Sequence, residues 1–381
     1  MGGRATTAPL RVGVDGRVLA IPSIRGWTRY ATNLLRALSR RADVELVVFA
    51  REEPWRRHLD GVRAQVVRLE AARETLWNDW VLPRRLRAEG IDVFHALADR
   101  GLPCWKPCPL VVTLHNSFER AHWRTLFPSP KRALWYWKHE LVNARLADVV
   151  LTVSDTTREE LIWQRVCPAD KLQRVYLAPA AEFTPVPDAG DDAIRRRHGL
   201  ARPYVLYVGG YDAHKNVGTL VDAFDRAQLD DHDLVVVSAQ NDADAELRAS
   251  WTRLGCAPRL HCIEAEPHEL PALYRGATAF VNPSRWESFG FQLVEAMATG
   301  TPLLAARRTA IPEIVGDAAM LFEPSSPVEL AALLRIVTTD AALREDLRAR
   351  GLRRATAFDW TTVADETVDA YRRAIGAKGR A

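Results

Sequence analysis

The stretch Asn282-Pro283-Ser284-Arg285-Trp286-Glu287-Ser288-Phe289-Gly290-Phe291-Gln292-Leu293-Val294-Glu295-Ala296-Met297-Ala298-Thr299-Gly300 opens as the end of a β-strand and closes as a helix. A strand finishes at Asn282-Pro283, a loop carries Glu287, and a helix starts between Ser288 and Gly290. Ser288 is the expected N-cap, since its hydroxyl can accept an orphan amide. Gly290, lacking a Cβ, lets another group approach the backbone. First-turn amides and the helix dipole then favour an anion at this end. Glu295 stands on a helix whose other members are Phe291, Leu293, Val294, Ala296, Met297 and Ala298. It is carried into apolar surroundings, where an unpaired carboxylate is costly. A polar ligand such as a ribose diol would satisfy it; the bland alternative is a buried ion pair with an arginine.

The same strand–loop–helix rhythm runs outward in both directions. Before residue 178 the β-branched runs Leu10–Val14, Glu45–Ala50, 64–69, 92–96, Leu110–Leu114, 148–153 and 173–177 read as strands. Helical stretches fill most intervals, notably 27–40, 74–89 and 131–147. A Pro-rich passage from Pro179 to Asp192 has linker composition. Strands then resume at Tyr204–Val208, 234–238, 259–263, Ala279–Asn282, 302–305 and 320–322, followed by helices at 328–338, 341–356 and 361–375. Strands alternating with helices predict parallel sheets covered on both faces. The expected fold is α/β: two Rossmann-like doubly wound domains facing across a cleft. The expected boundaries are an N-terminal domain at 1–183, a linker at 184–202, a C-terminal domain at 203–360, and a last helix and tail at 361–381 packing back toward the N-terminal domain. Such sheets bind ligands outside the carboxyl ends of their strands.

At 381 residues, two domains is the natural expectation, and 48% hydrophobic with 26% charged residues excludes a disordered or fibrous chain. No apolar run is long enough to span a bilayer, and Met1–Pro9 has no hydrophobic signal core. The five scattered cysteines read as reduced thiols of a cytoplasmic protein. Cys104 and Cys108 lack a second ligand pair, which argues against zinc. Residues 1–185 hold 29 basic against 20 acidic residues, and the remainder 23 against 28. That asymmetry suits a phosphate-bearing or anionic-membrane partner, or a surface that simply faces water. Within residues 122–138, Arg124, Lys131, Arg132 and Lys138 interleave with Trp123, Phe127, Trp135, Tyr136 and Trp137. The pattern fits either a peripheral membrane contact or a core helix with snorkelling cations, in which Leu134, Trp137, Leu141 and Ala144 form the buried stripe. Nothing points to nucleic acid.

Glu287 and Glu295, with seven residues between them, resemble the E-x7-E signature of retaining glycosyltransferases of family 4, which have the GT-B fold. Pro283-Ser284, Glu287-Ser-Phe-Gly290, Glu295-Ala-Met-Ala-Thr-Gly-Thr-Pro302, Ile311-Pro-Glu-Ile-Val-Gly-Asp317, Tyr204-Val-Leu-Tyr-Val-Gly-Gly210 and His214-Lys215-Asn216 match as well. In the N-terminal half Gly26-Trp-Thr-Arg-Tyr30, Asp92-Val-Phe-His95, Val112-Thr-Leu-His-Asn116 and Val153-Ser154 match more loosely. The resemblance implies an NDP-sugar donor, with GDP-mannose and UDP-glucose the leading candidates. It implies a hydroxyl acceptor that is a glycan, a lipid-linked glycan or a small molecule. By that resemblance Glu295 binds the ribose, Glu287 contacts the transferred sugar, and Lys215 neutralises the diphosphate leaving group. Amides around Ser288, Phe289, Gly290 and Phe291 hold the distal phosphate, Gly209, Gly210 and His214 line the donor site, and His115 faces the donor sugar. Transfer is front-face, the departing phosphate taking the acceptor proton, so no side-chain base is required. Two positions depart from the pattern. Gly210 stands where the family carries a second phosphate-binding arginine, with His214 or Arg29 as candidates to compensate. Thr28 alters a glycine turn. A nucleotide-sugar-binding partner subunit is the alternative those departures leave open, and a membrane scaffold whose basic, aromatic N-terminal half is the working surface is a second.

Asp242-Ala-Asp244 has the spacing of a metal-chelating pair in other glycosyltransferases. Here it follows a strand and opens a helix, where acids favour the dipole. No obligatory metal or cofactor is expected, and Val208-Gly-Gly210 lacks the third glycine of a dinucleotide loop. Of the other histidines, His95 ends a strand but falls below a catalytic reading, as do His122, His139 and His268.

Overall fold

A computed structural model of the chain describes residues 8–21, 26–53, 56–99, 101–116, 129–238 and 245–378. The chain divides into two units, Met1–Leu177 with Trp360–Ala381, and Ala178–Asp359. Each is a doubly wound α/β unit around its own parallel sheet.

The first sheet contains β1 (Leu10–Asp15), β2 (Val44–Ala50), β3 (Gln65–Arg68), β4 (Val93–Ala96), β5 (Leu110–Leu114), β6 (Val149–Thr152) and β7 (Leu172–Arg174), in the order β3-β2-β1-β4-β5-β6-β7. β4, β5 and β6 are buried at every position, which explains their largely apolar sequences, with His95, Thr113 and Thr152 the polar exceptions: helices cover both faces. The order reverses between β1 and β4, so the crevice of this unit opens past Asp15 and Ala96. The C-terminal helix Trp360–Lys378 is part of this unit. Its Tyr371 hydroxyl meets His95 Nδ1 at 2.8 Å, Gln173 Nε2 donates to the Glu366 carbonyl at 2.9 Å, and Arg41 pairs with Asp365.

The helix expected over residues 74–89 is broken by a π turn at Trp77–Val81. Pro83 has no N–H to donate to the Asp79 carbonyl, and the Trp105 indole N–H donates to that carbonyl instead at 3.2 Å. In the Pro130–Leu146 helix the buried line differs from the expected one. Leu134 is 66% exposed, while Ala133, Glu140, Asn143 and Ala144 are buried. Hydrogen bonds from Tyr136 and Asn143 to Asp99 turn the helix toward polar partners.

The second sheet contains β8 (Tyr204–Val208), β9 (Asp233–Val237), β10 (Leu260–Ile263), β11 (Ala279–Asn282), β12 (Leu303–Ala306) and β13 (Ala319–Phe322), in the order β10-β9-β8-β11-β12-β13. The order reverses between β8 and β11. Residues 184–202, given linker composition by their prolines, carry a short helix at Asp191–Arg197. Asp191 grips Arg275 through two bonds of 2.6 and 2.7 Å, and Arg275 also donates to the Thr184 carbonyl at 3.2 Å. This passage is therefore folded onto the second unit.

Candidate functional site

At the reversal point of the second sheet, the loops after β8 and β11 meet. The chain leaves β8 through Gly209-Gly210, makes one 3-10 turn at Ala213–Lys215, and is stopped by Asn216 at φ +58°. Asparagine tolerates this left-handed conformation better than most residues. Its buried amide donates to the Pro283 carbonyl at 3.0 Å and the Pro324 carbonyl at 2.8 Å, while its Oδ1 accepts from Thr219 at 2.8 Å. Three segments are thus tied together beside Lys215. The Arg285 amide donates to the His214 carbonyl at 2.8 Å, which fixes the β11 loop against the same turn.

Lys215 Nζ donates to Glu287 Oε1 at 2.7 Å, and Ser284 Oγ donates to the same oxygen at 2.8 Å. Burial pushes the Glu287 carboxyl up, but the Lys215 ammonium and the Ser284 hydroxyl outweigh it and hold the group below the usual carboxylate range. The Glu287 backbone is clasped by one side chain: its N–H donates to Thr309 Oγ1 at 3.0 Å, and that hydroxyl donates to the Glu287 carbonyl at 2.9 Å. His214 is driven the other way. Burial and then the Lys215 charge lower its pKa, so the imidazole is neutral at pH 7.

Gly209 is required by Tyr207. A Cβ at Gly209 would lie 2.6 Å from the Tyr207 hydroxyl, which donates to the Gly210 carbonyl at 2.7 Å. A Cβ at Gly210 would meet only the Asp212 carboxylate, 3.1 Å away. An acid thus stands beside Gly210.

The helix is Phe291–Thr299 and its cap is Gly290 at φ +84°, two residues beyond the expected cap. Ser288 is buried before the turn and does not occupy the cap position. The shift follows from conformation: the chain enters the helix through a left-handed residue, which glycine adopts without cost. Phe289 packs edge-on against Phe291 and Phe358, with centroids 5.9 and 5.8 Å apart. Glu295 is fully buried, and its Oε2 accepts from the Tyr274 hydroxyl at 3.2 Å. Its carboxylate is therefore closed to solvent.

His115 belongs to the first unit, at the end of β5. Its backbone N–H donates to Asp99 Oδ1 at 2.6 Å, and its Nε2 donates to the Leu97 carbonyl at 3.0 Å. The Nδ1 position is then the unprotonated one. Burial lowers the pKa of this ring, and the opposing Asp99 charge and Leu97 carbonyl do not restore it. Asp99 also accepts from the Tyr136 hydroxyl, and its carbonyl accepts from Asn143 Nδ2 at 3.0 Å. This aspartate was not singled out from the sequence; an acid just past a strand end and next to a glycine turn was its only signal. His95 is fully enclosed between Tyr371 and Thr113, and burial pushes it down to about 3, which makes it a neutral structural link.

Asp242 and Asp244 lie outside the described residues, as do 117–128 and with them His122, Trp123, Arg124 and Phe127. Among the described residues no group of three or more His, Cys, Asp or Glu side chains is placed to hold a metal ion. No described helix is long and apolar enough to cross a membrane.

Comparison with known proteins agrees with the two-sheet fold. Residues 191–354 match the family model for glycosyl transferases group 1, and residues 24–178 match that for glycosyltransferase family 4. The chain is 31% identical over 241 residues to the O-antigen chain mannosyltransferase B of Escherichia coli, covering 61% of this chain and 62% of that protein. It is 31% identical over 285 residues to the MMP alpha-(1->4)-mannosyltransferase of Mycolicibacterium hassiacum, covering 70% and 66%. The matches thus span somewhat under two thirds of these relatives' own lengths. The fold is shared with the sucrose-phosphate synthase of Thermosynechococcus elongatus (TM-score 0.75, 21% identity, 97% of this chain and 100% of that one). It is shared equally with Anabaena HepE in complex with UDP-glucose (TM-score 0.75, 18% identity, 94% and 98%). Two family models covering both halves, and a fold common to solved glycosyltransferases, place this chain in the group 1, family 4 glycosyltransferases of GT-B fold.

Proposed function

We propose that the chain transfers a hexose, with retention, from a nucleoside diphosphate sugar to a hydroxyl acceptor. The observation that carries this reading is the Lys215–Glu287 pair at the strand-order reversal of the second sheet, 2.7 Å apart and largely shielded from water. A donor diphosphate leaving beside Lys215 gains charge as the bond to the sugar breaks. A fixed ammonium stabilises that charge more in the transition state than before it. Glu287, kept ionised, both orients the ammonium and offers an acceptor oxygen to a sugar hydroxyl. The departing phosphate takes the proton of the attacking hydroxyl, so no protein base is assigned. Glu295 would hold the ribose and the amides after Gly290 the distal phosphate. The acceptor is assigned to the first unit, past the ends of β4 and β5, where Asp99, His115 and Tyr136 gather.

GDP-mannose is favoured as donor by the two mannosyltransferase relatives, and UDP-glucose is the second candidate because HepE binds it. Transfer does not require a metal in this proposal. A partner subunit without turnover is the weaker reading, because the buried Lys215–Glu287 pair is costly to maintain without use. The test is a thermal-shift panel of UDP-, GDP-, ADP- and TDP-sugars, followed by NMR of the product's anomeric configuration with the stabilising donor. Stabilisation by one donor and a retained anomeric centre are expected. Inversion, or activity lost in EDTA and restored by manganese, would overturn the mechanism.

A further inference from the structure

The turn that carries Lys215 has more acid than base around it. Lys215 is committed to Glu287, His214 is neutral, and the exposed Asp212 carboxylate stands beside Gly210. Among the described residues of the loops after β8 and β11, two acids therefore face the one cation Lys215, while Arg248 is turned to the Tyr211 ring at 5.7 Å. The cations that follow β12 are already engaged: Arg307 donates to the Leu321 carbonyl at 3.3 Å, and Arg308 faces Glu323 at 4.0 Å.

Arg285 is different. Its backbone amide is held by the His214 carbonyl, so the residue stands next to the Lys215 turn and two positions before Glu287. Its side chain is exposed and makes no hydrogen bond or ion pair with any described residue. A fixed backbone carrying an uncommitted guanidinium at the edge of an anion site is an arrangement suited to a ligand. With Arg285 counted, Asp212 and Glu287 are balanced; without it the loops repel a diphosphate. Guanidinium presents parallel N–H donors that match two oxygens of one phosphate. We propose that Arg285 is a phosphate-binding residue of the donor site, closing on the distal phosphate of a nucleoside diphosphate beside Lys215. This assignment rests on the nucleotide-sugar reading above.

The test is calorimetric titration of the full chain and its Arg285→Gln and Arg285→Lys variants with UDP, UMP, GDP and GMP. A charge-assisted contact of this kind predicts that Arg285→Gln binds the preferred diphosphate about tenfold to a hundredfold more weakly. The matching monophosphate should bind as before, and Arg285→Lys should fall in between. Because the side chain is exposed, the melting temperature of the free variants should not move. An unchanged diphosphate affinity in Arg285→Gln would overturn the assignment, and so would an equal loss for monophosphate and diphosphate. If the unaltered chain binds none of the four nucleotides and neither ADP nor TDP, the donor-site reading itself fails, and this outcome is distinct from the other two.

Discussion

The loops after β8 and β11 and those after β4 and β5 are built from different electrostatics. Past β8 and β11 the second unit sets charges against each other: Lys215 on Glu287, with Asp212 and Arg285 at the edge. Past β4 and β5, among the described residues, the first unit sets Asp99 among neutral groups: the His115 amide and the Tyr136 hydroxyl donate to it, and the His115 imidazole, kept neutral by burial, donates to the Leu97 carbonyl. A group that must stabilise departing phosphate charge needs a fixed cation. A surface that orients a neutral hydroxyl needs only aimed donors and acceptors. The contrast supports the proposal that donor and acceptor are held by different units.

The largest test of that contrast is Lys215→Ala. Removing a cation that acts on the leaving group should cut kcat about a hundredfold to a thousandfold, the range for loss of one preorganised transition-state contact. It also strands Glu287 as a buried charge, so the variant should be measurably less stable than Glu287→Gln combined with Lys215→Met. The paired variant should regain stability without regaining turnover. Measuring kcat and a denaturant midpoint on all three separates the two effects, and near-normal turnover in Lys215→Ala would erase the distinction drawn between the units.

Acid titration tests the other side. His95 is held to about 3, far below an unfolded histidine near 6.5. Between those values the unfolded chain binds a proton that the folded chain refuses, so stability falls as pH drops from about 6.5 toward 3. His95→Gln should flatten that slope for the first unit. Glu287 has a depressed pKa, so its contribution is present above the unfolded carboxylate value of about 4.3 and is lost as pH falls through its lower folded value. Followed by unit-specific hydrogen exchange, His95→Gln should reduce the acid softening of the first unit and leave that of the second unchanged, where the buried His214 imidazole is itself held below its usual range. An equal change in both units would contradict the assignment of the neutral His95 imidazole to the first.

The two regions also differ in how far the sequence exposes them. Each of the thirteen strands read from β-branched runs is present, because a parallel strand buried on both faces announces itself locally. Lys215, Glu287 and Glu295 were legible for a similar reason: they sit on short loops and one helix whose surrounding words are distinctive. Asp99 was not, since its partners come from residues 115, 136 and 143 and only the fold assembles them. The cap at Gly290 was displaced from Ser288 by a left-handed entry that composition does not signal. Leu134 turned outward because Tyr136 and Asn143 are bound elsewhere, a tertiary override of helical spacing.

Asn216 gives the smallest and most local test. It holds the Lys215 turn by a left-handed backbone and by two amide bonds to Pro283 and Pro324. Asn216→Gly keeps the backbone conformation free of strain but leaves two buried carbonyls short of a donor, at about 1–3 kcal/mol. Asn216→Ala adds the cost of a left-handed residue with a Cβ, about 1–2 kcal/mol more. If the amide bonds also aim Lys215, both variants should lose kcat while the KM for the acceptor stays constant, since the acceptor is assigned to the other unit. Denaturant midpoints and steady-state kinetics with each substrate varied would read this directly. Equal rises in both KM values would show that the turn after β8 supports the whole protein instead of the donor end alone.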